Sequence, residues 1–163
     1  MLFRVFNAQE RFPISSLRQR PNAIASIRGS EEFPNLKGEV LFYKTERGTL
    51  VLAEIEGFPV EEGCAPRFFG LHLHEKGECE PSFDSAGGHY NPKNCPHPAH
   101  AGDLLPLLAN KNGKAFLCFL TDSFSVGEVV GKAVIVHKLR DDFTSQPSGD
   151  SGERIGCGVI VGA

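Results

Sequence analysis

The feature of this chain that most restricts its fold is a series of short, alternating apolar segments separated by turns. Across 163 residues the sequence contains 18 glycines and 11 prolines, and no segment keeps a helical period. Seven segments are predicted to be β-strands: residues 22–28, 37–44, 48–56, 67–75, 114–121, 131–137 and 155–162. The sequence therefore predicts an all-β, antiparallel sandwich or barrel.

Two long segments do not fit this succession of strands, residues 76–108 and residues 139–154. Each begins close behind a predicted strand end that carries histidine. Irregular segments of this length inside one domain are usually functional. We therefore expect the two segments to form the functional loops of the domain.

Composition restricts the class of protein. The formal net charge of −3 argues against a general nucleic-acid binder, and no apolar run is long enough to cross a membrane. We expect an N-terminal extension at residues 1–21 and one domain at residues 22–163. The extension lacks the continuous apolar core of a secretory signal, so the predicted location is cytoplasmic.

Histidine is concentrated in one region, because five of the six histidines lie between residues 72 and 103. His72 and His74 are two apart on a predicted strand, so both side chains leave the same face and could share a metal ion. A purely structural pair is the alternative. His137 ends another apolar strand with the same opportunity but, taken alone, is more typical of a satisfied surface or edge histidine.

The long loop carries a more specific pattern, in which His89, His97, His100 and Asp103 form H-x7-H-x2-H-x2-D. Three imidazoles and one carboxylate make a complete tetrahedral ligand set for Zn²⁺. The alternative is a solvated histidine-rich loop. We expect the metal-binding interpretation to hold.

The five cysteines contain one candidate pair, because Cys79 opens the long loop and Cys157 lies in the last predicted strand. A bridge between them would attach the base of the loop to the sheet. Cys64 and Cys95 could form a second bridge or remain free thiols. Cys118 lies in an apolar strand and is expected to be a buried, inert core residue.

Arg154 is the only cation in the Gly/Ser-rich residues 148–158. It could be a solvent-exposed loop arginine. Alternatively, it could hold an anionic substrate beside a metal, since guanidinium is well suited to anions.

Taken together, five stretches resemble the copper/zinc superoxide dismutase family, of the bacterial type. They are GLHLHEKGEC, SAGGHYNP, HAGDL, VIVHKLRDDF and SGERIGCGVI, in the order of the family. The resemblance covers roughly residues 22–163. It implies an eight-stranded antiparallel Greek-key β-sandwich or barrel with two long functional loops.

The resemblance also implies roles for individual residues. The implied copper ligands are His72, His74, His89 and His137, and the implied zinc ligands are His89, His97, His100 and Asp103. His89 would bridge both metals as an imidazolate. Asp141 would tie a copper ligand to a zinc ligand, Arg154 would guide the anion, and Cys79–Cys157 would be the disulfide.

The implied reaction is the conversion of superoxide to dioxygen and hydrogen peroxide by alternation between Cu(II) and Cu(I). Superoxide is the implied small-molecule partner, with no nucleic acid or membrane partner, and a homodimer is compatible with this interpretation. The alternative is a non-catalytic copper/zinc-binding member of the family, a metal carrier or structural protein. The complete set of implied copper ligands favours the enzyme.

Three departures from the family pattern bear on the site. Only two residues separate His97 from His100, so we expect an altered zinc geometry. The segment 139–152 is compact, so we expect a wider approach to copper and weaker guidance. Cys64 and Cys95 lie outside the general pattern of the family.

Overall fold

The computed structural model describes residue 17 and residues 19–163. The predicted extension at residues 1–21 lies almost entirely outside the described residues, and the domain boundary stays a prediction. The strands are Ala23–Gly29 (β1), Lys37–Thr45 (β2), Gly48–Glu56 (β3), Phe68–Phe69 (β4), Leu71–His74 (β5), Leu107–Leu108 (β6), Lys114–Thr121 (β7), Ala133–His137 (β8) and Arg154–Gly162 (β9). Within residues 19–163, the helical elements are the four-residue helix Val126–Val129 (α1) and a 3₁₀ turn, Asp84–Ala86. Within the described part of the chain, no helix is both long and apolar enough to cross a membrane.

Seven strands form one curled antiparallel sheet in the order β5-β8-β9-β1-β2-β3-β7, and β4 pairs with β6. β1, β2 and β3 are consecutive neighbours, and the last strand returns to lie beside β1. After β3 the chain crosses to β5 at the opposite edge of the sheet, and β7 then returns to pair with β3, a crossover typical of Greek-key folds. The predicted all-β antiparallel class is confirmed, with seven strands in the main sheet and two short strands outside it.

The core lies on the concave side of the sheet because the strands alternate apolar and polar residues. On β3, Val51, Ala53 and Ile55 are buried, whereas Glu54 between them is exposed. Truncation of a buried side chain such as Ile55 to alanine would cost about 2–5 kcal/mol. The sheet is therefore a firm support for the loops at its edge.

β8 differs from the other strands because all five of its residues are buried. It lies between β5 and β9, and its outer face is covered by the long loop. Phe83 and Ala86 of that loop pack with Ala133, Ile135 and Cys157 in a second apolar cluster. The loop is thus held against the strand that ends at His137.

The predicted strand at residues 67–75 is divided at Gly70 into β4 and β5. The Gly70 N–H donates to the Leu139 carbonyl and the Gly70 carbonyl accepts from the His137 N–H, at 2.8 and 2.9 Å. A Cβ atom at Gly70 would lie only 3.2 Å from the Cβ of His137. A side chain at this position would therefore crowd His137, and the chain changes pairing partner here.

The cysteines follow the prediction in part. Cys79 and Cys157 form a disulfide, while Cys64 and Cys95 are free thiols rather than a second bridge. The prediction for Cys118 is wrong, because this side chain is exposed. On β7, Ala115 faces the core, so the residues at odd positions point inward and Cys118 points outward.

Candidate metal centre

The histidines are gathered at the free edge of β5. β5 and β8 pair with His72 opposite Ile135 and His74 opposite Ala133, which brings the end of β8 beside them. The long loop returns along the other side of β5, where isolated bridges join His72 to Asp103 and His74 to His89. Residues distant in sequence therefore meet at one strand edge.

The first donor set consists of four histidines. One ring nitrogen from each lies within 4.8 Å of the others in the set His72, His74, His89 and His137. Hydrogen bonds occupy the other ring nitrogen of three of them, with acceptors Asp141, Gly87 O and Gly152 O. These bonds fix the ring orientations and leave one nitrogen of each directed to a common point.

The second donor set combines three histidines with a carboxylate. Its members, also within 4.8 Å of one another, are His89, His97, His100 and Asp103. The Nδ1 atoms of His89, His97 and His100 lie 2.8, 3.1 and 3.3 Å from the Asp103 oxygens. The two-residue spacing between His97 and His100 therefore does not prevent their convergence.

His89 is the one residue common to both sets. Its Nδ1 faces Asp103 in the second set. Its Nε2 is buried and has no hydrogen-bond partner among the described residues. The ring centre of His89 lies 4.0 Å from that of His72 and 5.6 Å from that of His100. A single imidazole thus stands between the two sets.

Asp141 contacts one histidine of each donor set. Its carboxylate lies 2.8 Å from His72 Nε2 and 3.0 Å from His97 Nε2, and it accepts a hydrogen bond from the Phe143 N–H. Burial alone would raise the pKa of this carboxyl. The hydrogen bonds with His72, Phe143 and His97 outweigh burial and lower the pKa to about 2, so Asp141 is ionised.

The electrostatics suit a cation. Burial lowers the pKa of His72 below its ordinary value, lowers that of His74 to about 3, and lowers that of His137 well below its ordinary value. These imidazoles are therefore neutral near pH 7, as metal ligands must be.

The buried polar atoms without hydrogen-bond partners also indicate that the two donor sets bind cations. Among the described residues, the buried side-chain atoms without a hydrogen bond include His72 Nδ1, His89 Nε2, His97 Nδ1 and His100 Nδ1. Each such atom costs about 1–3 kcal/mol when unsatisfied. All four belong to the donor sets, so two bound cations would satisfy them together.

Comparison with known proteins agrees with this geometry. The family model described as copper/zinc superoxide dismutase matches residues 36–160. The chain belongs to the copper/zinc superoxide dismutase family. A relative from Aquifex aeolicus named superoxide dismutase [Cu-Zn] 2 is 31% identical, covering 82% of this chain and 86% of the relative. The superoxide dismutase [Cu-Zn] of Escherichia coli K12 is 34% identical, covering 76% and 78%. A superoxide dismutase-like protein of Bacillus subtilis is 38% identical over a shorter span, 57% of this chain and 55% of the relative.

The two donor sets fit the two metals of the family. Four imidazoles form a set suited to copper, and three imidazoles with one carboxylate form a set suited to zinc. The disulfide Cys79–Cys157 attaches the first part of the loop to β9. The loop that carries the second donor set is therefore joined covalently to the sheet.

Arg154 is a partly buried residue beside the two donor sets rather than a fully exposed loop residue. Its guanidinium donates to Phe83 O at 2.7 Å and to Gly87 O at 2.8 Å. Gly87 O is also the hydrogen-bond partner of His74 Nδ1. Burial lowers the pKa of Arg154, but guanidinium remains charged in proteins. The positive charge of Arg154 and the ring of His74, a member of the first donor set, therefore contact the same carbonyl oxygen.

Sequence reasoning missed several groups that position this centre. The carbonyls of Gly87 and Gly152 hold His74 and His137, and Gln146 bonds to the backbone of His97. Backbone carbonyls carry no residue-type signal, and Gln146 lies 49 residues from His97. Only the fold brings these groups together.

Proposed function

We propose that this protein is a superoxide dismutase that converts two superoxide ions and two protons to dioxygen and hydrogen peroxide. The proposed copper ligands are His72, His74, His89 and His137. The proposed zinc ligands are His89, His97, His100 and Asp103. The observation that carries the proposal is His89, which offers one ring nitrogen to each donor set.

The chemistry divides between the metals and the chain. When bound, copper supplies the one-electron redox chemistry and zinc, which has none, supplies a fixed positive charge. The chain contributes His89, whose Nε2 can hold a proton in one half of the cycle and release it to the product in the other. Because Nδ1 of His89 is fixed against Asp103, the proton is carried at Nε2.

The chain also orients the site and attracts the substrate. Asp141 holds His72 and His97 by their Nε2 atoms, leaving Nδ1 of each ring for the donor sets. Superoxide is an anion, so the Arg154 guanidinium would raise its association rate, and high ionic strength would lower that rate. The two carbonyl bonds of Arg154 keep this charge in place.

The test is metal content of the purified full chain, paired with a superoxide-dismutation assay before and after copper loading. We expect one copper and one zinc per chain and high activity. His137→Ala should lose copper and activity, while Lys138→Ala, an exposed neighbour, should keep both. Zinc binding without activity after copper loading would instead support a metal carrier or structural protein.

Assembly and location are separate proposals. A homodimer without nucleic acid or membrane partners is proposed, and sedimentation of the metal-loaded protein at several concentrations tests the dimer. The cytoplasmic location stays a prediction, and the Cys79–Cys157 bridge is more typical of an oxidising compartment. Fractionation of the producing cells with immediate thiol blocking distinguishes reduced cytoplasmic protein from oxidised exported protein.

A further inference from the structure

Gln146 makes a two-bond contact with the backbone of a proposed zinc ligand. The His97 N–H donates to Gln146 Oε1 at 3.0 Å, and Gln146 Nε2 donates to the His97 carbonyl at 2.6 Å. Gln146 lies between β8 and β9, a segment that contributes no residue to either donor set. One side chain therefore satisfies both main-chain polar groups of His97.

His97 depends on such a contact because it lies outside the sheet. His72 and His74 are held by the ladder between β5 and β8, whereas His97 belongs to an irregular loop. Its ring is contacted on both nitrogens, because Nε2 lies 3.0 Å from Asp141 and Nδ1 lies 3.1 Å from Asp103. Both Gln146 and Asp141 come from the segment between β8 and β9, so that segment holds the backbone and the ring of His97 together.

Gln146 is itself held in a closed turn. Asp142 Oδ1 accepts hydrogen bonds from the N–H groups of Thr144 and Ser145, each at 2.8 Å. The Gly149 N–H donates to Ser145 O at 2.7 Å, and Gly149 O accepts from the Asp142 N–H at 2.9 Å. The backbone on both sides of Gln146 is thus fixed, which makes its amide a firm support.

We infer that Gln146 is a positioning residue that places the His97 imidazole for zinc. The inference rests on the zinc set of the proposed function. The role is specific to glutamine because its amide both donates and accepts. Glutamate at this position would keep the bond from the His97 N–H and lose the bond to the His97 carbonyl, and alanine would lose both.

The experiment compares three variants of the full chain. Gln146→Ala and Gln146→Glu are matched with Asn110→Ala, which also removes a side chain that accepts two backbone hydrogen bonds, from Asn112 and Lys114. Asn110 lies in the turn before β7 and belongs to neither donor set. Zinc and copper affinities are measured by chelator competition, and Co²⁺ is bound in place of zinc to record the ligand-field spectrum of the set.

We expect the zinc dissociation constant to rise about 10–100-fold in Gln146→Ala, as is typical when a group that orients a ligand is lost. Gln146→Glu should show a smaller rise, and Asn110→Ala none. The Co²⁺ spectrum should change only in the Gln146 variants. Copper affinity should change less than zinc affinity, because two proposed copper ligands lie on β5.

The inference is overturned if the wild-type chain binds zinc and Gln146→Ala binds it equally well. It is also overturned if zinc and copper affinities fall together, or if Asn110→Ala has the same effect as Gln146→Ala. If the wild-type chain binds no zinc at this set, the proposed function fails first, and this inference with it. The two failures are therefore distinguishable.

Discussion

Nε2 of His72 lies 2.8 Å from Oδ2 of Asp141, and both side chains are completely buried. The other carboxylate oxygen of Asp141 lies 3.0 Å from His97. One buried carboxylate therefore couples a residue of the first donor set to a residue of the second. Because the two sets share this support, their affinities for metal should be linked.

Asp141→Asn tests that link. The amide has one oxygen instead of two, so it cannot accept hydrogen bonds from both imidazoles in the same way, and the negative charge is lost. We expect the affinities for zinc and for copper each to fall about 10–100-fold. Asp150→Asn, an exposed site in the same segment, is the control. Equal metal affinities in Asp141→Asn and the wild-type chain would contradict the coupling.

Gly149 packs directly against this carboxylate. An added Cβ would overlap Asp141 Oδ1 and lie 2.7 Å from His97 Nε2, at a residue whose φ is +70°. We expect Gly149→Ala to lower the free energy of unfolding by about 1–3 kcal/mol and to weaken zinc binding, because Asp141 must move. Gly131→Ala is the matched control, since its φ is also positive, at +84°, while nothing lies within 4 Å of a Cβ there. Urea unfolding measures the stability of both variants, and chelator competition measures their zinc affinity. Unchanged zinc affinity in Gly149→Ala would contradict the prediction.

The stability of the metal-free protein should depend on pH. Burial lowers the pKa of His72 and His137 from the ordinary 6.5, and that of His74 to about 3. Between about pH 6.5 and pH 3 the unfolded chain therefore binds more protons than the folded chain. The free energy of unfolding should fall as the pH drops through this window, by up to about 1.4 kcal/mol per pH unit for each such histidine, and these groups should add no pH dependence above it.

Urea unfolding of the metal-free protein across this range measures the effect. His74→Asn, which cannot take up a proton, should flatten the curve relative to the wild-type chain. A free energy of unfolding that stays constant as the pH falls below about 6.5 would show that these imidazoles bind protons equally in the folded and unfolded chains, and would contradict the prediction.

Local patterns account for the parts of the structure that the sequence predicted. β1, β2, β3 and β7 lie within about one residue of the predicted segments, because alternation along a strand is visible in the sequence. The two histidine motifs could be predicted for the same reason, since HxH on a strand and the spaced motif of the loop are also local patterns.

The parts that the sequence could not predict depend on long-range contacts. Gly70 divides a strand because of its bonds to His137 and Leu139, which are distant in sequence. Cys118 was misplaced because its strand is apolar on both faces, so the sequence does not show which face points inward. Gln146 carries no metal-binding signal of its own and meets His97 only in the folded chain.

Arg154 should act through its charge. We expect Arg154→Ala to lower kcat/KM and to weaken its dependence on ionic strength, because a positive charge near the anion's path is lost. Arg154→Lys should keep most of the ionic-strength dependence while losing part of the rate, since an ammonium cannot make both carbonyl bonds in the same geometry. Arg28→Ala, which removes an exposed cation of β1, is the control. An unchanged ionic-strength slope in Arg154→Ala would remove Arg154 from the proposed guidance.

The disulfide should contribute most of its stability through the unfolded chain. Cys79 and Cys157 are 78 residues apart, and closing a loop of that length is worth about 4–5 kcal/mol in the chain-entropy model. We expect Cys79→Ser to lower the free energy of unfolding of the metal-free protein by nearly this amount. Cys64→Ser, which removes an exposed free thiol, should leave it almost unchanged.

The metal-loaded protein provides a second measurement on the same pair of variants. Cys79 opens the loop that carries Gly87, whose carbonyl is shared by His74 and Arg154. Cys79→Ser should therefore also weaken copper binding, through His74, whereas Cys64→Ser should not. If Cys79→Ser lost stability but kept full copper affinity, the bridge would act on the unfolded chain alone and the loop would hold His74 without it.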